Sequence, residues 1–133
     1  MLNPFPHLLV YSFYAPTLLR LAASLTLLYA ASLYWKEKRK LIGLRVPIVG
    51  TFRAWMWWVS IIVCTLVALC LFVGYETQIA AIAGMIIALK HLWAQKYVGQ
   101  YLALSRVASI LLFVICLSLL FSGAGAMALD LPL

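Results

Sequence analysis

The side chains that could carry redox or metal chemistry in this chain are three cysteines and two histidines. Cys64 and Cys70 are six positions apart, which on one α-helix separates them by about 120° around the axis and about 9 Å along it. A disulfide cannot bridge that geometry. Cys116 stands alone in a later apolar segment, and there is no Cys-x-x-Cys motif. We therefore expect free cysteines that behave as small apolar side chains.

The histidines do not predict a metal or haem site. His7 lies in the N-terminal segment, and His91 follows Lys90 at the predicted end of a helix. A haem held between helices needs histidines inside the bundle core, and neither residue is expected there. The sequence also lacks a Gly-rich phosphate loop and a Ser/His/Asp set. We therefore assign no catalytic residue and no metal ligand.

Three charged residues lie outside the two basic regions of the chain: Arg20, Glu76 and Asp130. An ionisable residue in an apolar segment normally has a partner. Arg20 could reach out to water or a lipid phosphate, form an ion pair, or bind a substrate such as a quinone. Asp130 is the preferred ion-pair partner, because nothing else explains an acid in the apolar C-terminal tail. Glu76 is the second choice, since pairing in a hydrated turn contributes only about 0–1 kcal/mol.

The composition predicts the elements that must position these residues. The chain has 133 residues, of which 67% are hydrophobic and 10% charged, and its mean hydropathy is +1.09. Soluble domains average about 45–50% apolar and about 25% charged residues. A helix needs about 20 mostly apolar residues to cross a bilayer. We therefore predict an all-α integral membrane protein, a single transmembrane domain folded as an up-and-down bundle of four transmembrane helices.

The boundaries of the helices follow from proline, glycine and charge. Pro16 suits the first turn of a helix, and residues 74–77 (Gly-Tyr-Glu-Thr) predict a tight turn. An aromatic segment without the positive n-region of a signal peptide comes first, and we expect no cleavage there. The prediction is a surface segment at residues 1–14 and helices at about 15–35, 54–73, 77–95 and 104–126.

Two basic connections, residues 36–53 and 90–106, predict the orientation. Alternate connections of a four-helix chain lie on one side, and the positive-inside rule makes that side cytoplasmic. Both termini and the turn at residues 74–77 are then outside, and the location is a bacterial cytoplasmic (inner) membrane. All five tryptophans fall at the cytoplasmic helix ends, as an aromatic belt does: Trp35, Trp55, Trp57, Trp58 and Trp93.

The basic cluster itself is expected to contact lipid headgroups on the cytoplasmic side. It consists of Lys36, Lys38, Arg39 and Lys40. A net charge of +7 would indicate nucleic acid binding in a soluble protein. Here the basic residues cluster between apolar segments, so membrane lipids are the expected partner and nucleic acid is not. Whether the cluster clamps one acidic headgroup or is a solvated anchor is left open.

Small residues predict where two helices approach closely. Ala80, Gly84 and Ala88 recur every fourth residue, which places them on one face of the third helix. Such a small-xxx-small face is typical of tight helix packing in membranes. We call these three residues the α3 seam, where α3 is the third helix, predicted at about residues 77–95.

Several segments resemble one known family. Residues 118–133 contain Gly-Ala-Gly, a short apolar stretch and an Asp. Residues 2–6, Arg20 and residues 73–81 add further similarity, so the matches touch both ends and the middle of the chain. Together these segments resemble the DoxX family of small four-helix membrane proteins.

The resemblance implies a four-helix membrane protein related to subunits of quinone-linked sulfur oxidation or to partners of thiol and oxidative-stress enzymes. This chain has Thr65 where relatives often carry an acidic residue in the second helix, which weakens a proton-coupled role. We expect a non-catalytic membrane subunit that docks or supports a quinone- or thiol-linked redox partner. The alternatives are a quinone-reducing membrane enzyme and a lipid-binding or structural membrane protein. The candidate ligands are a quinone or a lipid, and a second copy of the chain remains a candidate partner.

Overall fold

The computed structural model describes residues 14–41, 45–46, 50–51, 54–98, 104–123 and 125. The described residues form four helices and one short pair of strands. The elements are α1 Ala15–Leu41, β1 Arg45–Val46, β2 Gly50–Thr51, α2 Ala54–Val73, α3 Thr77–Val98 and α4 Arg106–Ser122. The predicted all-α, four-helix architecture is confirmed.

The four helices pack in a closed ring. Helix α1 packs on α2 and α4, and α3 packs on the same two helices, with the most extensive packing between α1 and α2 and between α3 and α4. Side chains near the end of α1 and the end of α3 contact each other, and Gly125, just after α4, lies against the first turn of α1. The bundle therefore has a basic end, where α1 and α3 finish, and an opposite end, where they begin.

Helix α1 continues six residues past its predicted end at residue 35 and includes Lys36, Lys38, Arg39 and Lys40. These residues were expected in a connection. Lys, Arg and Glu are good helix formers, and cations are favoured near the negative C-terminal end of a helix dipole. Beyond α1, the strands β1 and β2 pair antiparallel, with Arg45 opposite Thr51 and Val46 opposite Gly50.

The other helix ends follow their capping residues. Helix α4 begins after Ser105, whose hydroxyl accepts a hydrogen bond from the backbone N–H of Ala108 at 3.2 Å. It ends at Ser122, because Gly123 takes φ +74° and its N–H donates to the carbonyl of Leu119 at 2.9 Å. Helix α4 is therefore shorter than the predicted span of 104–126, and α3 extends three residues past residue 95.

The outer surface of the bundle is unusually apolar. Large apolar residues of all four helices face outward, among them Leu18, Ile62, Ile86 and Val107. Among the described residues, the interior is mostly apolar and also contains seven buried polar or charged residues: Thr17, Arg20, Ser24, Thr77, His91, Gln95 and Ser109. A helix on the surface of a soluble protein turns its polar face outward instead.

Two of the helices are long and apolar enough to cross a membrane. These segments are Ala15–Lys36 and Thr77–Lys96. The apolar segments of the other two helices, Trp58–Val73 and Arg106–Ser122, are shorter.

Candidate functional site

A cluster of polar side chains from three helices lies at the basic end of the bundle. We call it the inner polar cluster, and it consists of Tyr34 on α1, Ser60 on α2, and Lys90 and His91 on α3. Consecutive residues of a helix point about 100° apart. Lys90 and His91 therefore face different neighbours, and α3 joins α1 and α2 through adjacent residues.

Tyr34 and His91 form a buried hydrogen bond. The Tyr34 hydroxyl oxygen lies 2.7 Å from His91 Nε2, and the tautomer of His91 sets which of the two donates. The rings are 5.2 Å apart and tilted by 57°. Tyr34 is 3% exposed and His91 only 1%. The bond therefore gives the buried Tyr34 hydroxyl and His91 Nε2 a hydrogen-bond partner in place of water.

The position of His91 corrects the sequence interpretation, which placed it at a helix end outside the core. Helix α3 continues for two further turns to Val98, so His91 lies within the bundle. Its neighbour Lys90 marked the expected edge of the apolar segment. The signal that could have found this histidine is its spacing of three and seven residues from Ala88 and Gly84, which puts it close to the α3 seam.

Lys90 on α3 forms a hydrogen bond with an uncharged side chain on α2. Its Nζ donates to Ser60 Oγ at 2.9 Å and lies 6.0 Å from the centre of the Tyr34 ring. That distance is at the limit of a cation–π contact. Within the part of the chain that the structure describes, no carboxylate neutralises Lys90.

Aromatic rings surround this end of the bundle. Trp35 and Trp58 meet edge to face, with ring centres 5.2 Å apart and planes at 89°. Trp55 and Trp93 are exposed at the same end. The side chain of Trp57 lies outside the described residues. The four described tryptophans therefore mark one level of the bundle, close to the inner polar cluster.

Gln95 fastens the end of α3 to the start of α4. Its amide nitrogen donates to the carbonyl of Leu104 and lies 3.4 Å from Ser109 Oγ. Ser109 in turn donates to the carbonyl of Ser105 at 3.1 Å. The carbonyl oxygen of Gln95 is buried with no hydrogen-bond partner among the described residues. The bonds from Gln95 to Leu104 and Ser109 therefore join the end of α3 to the start of α4.

The opposite end contains Arg20 and Glu76, two of the three residues in the ion-pair prediction. Arg20 is 2% exposed, whereas Glu76 is exposed and takes φ 49° in the turn before α3. Asp130 lies outside the described residues, so its pairing with Arg20 stays a prediction. Gly125 brings the chain after α4 back to α1: a Cβ added there would lie 2.9 Å from Thr17 Oγ1. The chain thus returns toward the helix that carries Arg20.

The three residues of the α3 seam, Ala80, Gly84 and Ala88, are all buried. A Cβ added to Gly84 would lie 2.8 Å from Cys116 Sγ on α4. Distances under about 3 Å are not found for real Cβ atoms. At Gly84, α3 therefore lies close enough to α4 that an added Cβ would clash with the sulfur of Cys116.

The remaining residues considered from the sequence are the basic cluster and the cysteines. Lys36 is exposed, and the side chains of Lys38, Arg39 and Lys40 lie outside the described residues. The cysteines are free thiols, as predicted: Cys64 and Cys116 are buried and Cys70 is partly buried. Among the described residues, no group of three or more His, Cys, Asp or Glu side chains could hold a metal ion.

Comparison with known proteins gives no relative for this arrangement. No family model, no curated protein and no solved structure matches the chain.

Proposed function

We propose that this chain is an integral membrane protein of the DoxX type, with four helices that cross a bacterial cytoplasmic membrane. The outward-facing apolar side chains support the proposal. Leu18, Ile79 and Val107 are each more than 60% exposed, and Phe121 is 83% exposed. In water these surfaces would cost free energy in proportion to their apolar area. Hydrocarbon removes that cost and explains why the polar side chains are inside.

The orientation follows from the charges at the two ends. The helical extension of α1, the following hairpin and the end of α3 carry most of the basic residues. The described tryptophans lie at this same end. Under the positive-inside rule the basic end faces the cytoplasm, and both termini face outward.

The role we propose is that of a non-catalytic membrane subunit that docks or supports a redox protein at its cytoplasmic face. The observation that carries it is the continuation of α1 beyond Lys36, where its apolar span ends. Five further residues extend the helix by about 7.5 Å. A rigid cationic turn just outside the bilayer is an attachment point for an acidic protein surface. The buried hydrogen bonds of His91 with Tyr34 and of Gln95 with the start of α4 join helices to one another.

A quinone-reducing enzyme is the second candidate, and the pair Tyr34–His91 favours it. Reduction of a quinone to a quinol consumes two electrons, which a redox protein bound at the cytoplasmic face would supply, and two protons, which the hydrogen-bonded tyrosine and histidine beside the membrane surface would deliver. The two candidates differ in what the purified protein contains. The enzyme would be favoured if the lipid extract contains stoichiometric quinone and if the Tyr34→Phe variant reduces that quinone more slowly. An extract with phospholipid alone favours the subunit.

Cysteine labelling in intact cells of a bacterial host tests the membrane topology. Lys36→Cys and Tyr75→Cys place a thiol at exposed positions of opposite ends, and the unmodified chain controls for its own thiols. We expect a membrane-impermeant maleimide to label Tyr75→Cys in intact cells, and both variants after permeabilisation. Labelling of Lys36→Cys alone in intact cells would show that the orientation is the opposite of the one proposed. Recovery of both variants from the soluble fraction would refute membrane insertion.

Docking is tested by neutralising the helical extension. Lys38, Arg39 and Lys40 replaced together by Gln should abolish co-purification of a redox protein from native membranes, while the bundle stays folded. Lys96→Gln is the matched control, because Lys96 is also exposed and basic near the same end. Equal retention of the partner by both variants would contradict the docking surface.

A further inference from the structure

We propose that the groove between α2 and α3 at the basic end binds the phosphate of an anionic phospholipid through Lys90 and Ser60. This inference rests on the membrane insertion proposed above. It concerns a site within the bundle wall and is separate from the headgroup contacts of the α1 extension.

The first argument is that Lys90 has no anionic partner among the described side chains. Its ammonium donates to a neutral hydroxyl, Ser60 Oγ, at 2.9 Å. The chain has three acids: Glu76 lies in the turn at the opposite end, and the side chains of Glu37 and Asp130 lie outside the described residues. A cation in a membrane-facing position is costly when its partners are neutral. An anion supplied by the bilayer would neutralise it.

The second argument is hydrogen-bonding capacity. A lysine ammonium has three N–H donors, and one of them is used on Ser60. The described residues show no acceptor for the Ser60 hydroxyl proton. Lys90 and Ser60 together can therefore offer donors to the two unesterified oxygens of a phosphodiester while keeping their own bond.

The third argument is depth. Trp58 lies two residues from Ser60 on α2, and Trp93 lies three residues from Lys90 on α3, or about 3 and 4.5 Å along the helices. Tryptophans mark the level of lipid headgroups. The ammonium therefore lies within one turn of that level, where a phosphate can be drawn into the groove.

The fourth argument is the exposed apolar surface next to Lys90 and Ser60. One turn further from the basic end, Ile86 on α3 and Val63 on α2 lie on the same faces as Lys90 and Ser60 and are exposed at 62% and 40%. The packing between α2 and α3 is also less extensive than between α1 and α2. A phospholipid fits this arrangement, because its acyl chains can lie on the apolar side chains below its phosphate.

Native mass spectrometry of the full chain released from detergent micelles tests the site. The probes are phosphatidylglycerol, which is anionic, and phosphatidylcholine, whose ammonium offsets its phosphate. One basic residue near a membrane surface should favour the anionic lipid by about fivefold in binding constant. Lys90→Gln should reduce this preference to about one, and Lys90→Arg should retain it. Lys96→Gln, on the same helix, should leave it unchanged.

Several results would overturn the proposal: equal binding of the two lipids by the unmodified chain, an unchanged preference in Lys90→Gln, or displacement of the lipid by inorganic phosphate or by a quinone. If Lys90→Gln does not fold, Ser60→Ala and the comparison of lipids on the unmodified chain remain decisive. Failure of membrane insertion would appear in the cysteine labelling, whereas failure of this site alone would leave that labelling intact.

Discussion

Replacing Gly84 by alanine should destabilise the bundle in a way that a second substitution repairs. The new Cβ would lie 2.8 Å from Cys116 Sγ but 3.9 Å from Cys116 Cβ. The clash therefore involves the sulfur alone, and Cys116→Ala removes it. In the double variant the two methyl groups would be in ordinary van der Waals contact.

The magnitude can be estimated from three terms. Overpacking of a tight core costs about 1–3 kcal/mol, while alanine is favoured over glycine in a helix by about 1 kcal/mol. Gly84→Ala alone should then cost about 0–2 kcal/mol. Cys116→Ala alone removes one heavy atom from a fully buried site, which costs about 0.5–1.5 kcal/mol by comparison with Ile→Val changes. The double variant loses the clash and fills the cavity.

The assay is reversible unfolding of the purified protein in mixed micelles, followed by circular dichroism for all four members of the cycle. We expect the double variant to be more stable than the sum of the single changes predicts, by about 1–3 kcal/mol. The matched control combines Gly84→Ala with Cys70→Ala, because Cys70 lies on α2 and does not contact the seam at Gly84. That cycle should be additive. Additivity in the Cys116 cycle as well would refute close packing of α3 on α4 at this point.

Three further predictions concern the ends of the bundle. Gly123→Ala and Gly125→Ala both force alanine to positive φ, at a cost of about 1–2 kcal/mol, but only Gly125→Ala adds a clash with α1. Gly125→Ala should therefore lower the unfolding midpoint clearly more than Gly123→Ala does. Equal shifts would contradict the return of the chain to α1. Arg20→Gln and Asp130→Asn should each destabilise and together cost less than their sum, whereas strict additivity of unfolding free energies would exclude the ion pair. Tyr34→Phe leaves a buried histidine nitrogen without its partner and should cost about 1–3 kcal/mol in the same assay; a cost below about 0.5 kcal/mol, as at an exposed tyrosine, would argue against that bond.

The helices could be predicted from the sequence because each is an apolar segment bounded by charged, proline or glycine residues. The turn before Thr77, for example, combines Gly74 at φ +76° with a non-glycine residue, Glu76, at φ +49°. The end of α1 was harder to place. Lys36 ends the apolar run, but hydropathy does not decide whether a charged helix former continues the helix in water.

The site depended on the tertiary structure. The sequence showed that Lys90 and His91 are adjacent, and helix geometry fixed the angle between them. It could not show which of the two faces α1, because that depends on the rotation of α3 about its own axis. Packing sets this rotation: Gly84 faces Cys116 where α3 lies against α4. With that face set, His91 lies in the interior against Tyr34, and Lys90 is left in the groove with Ser60.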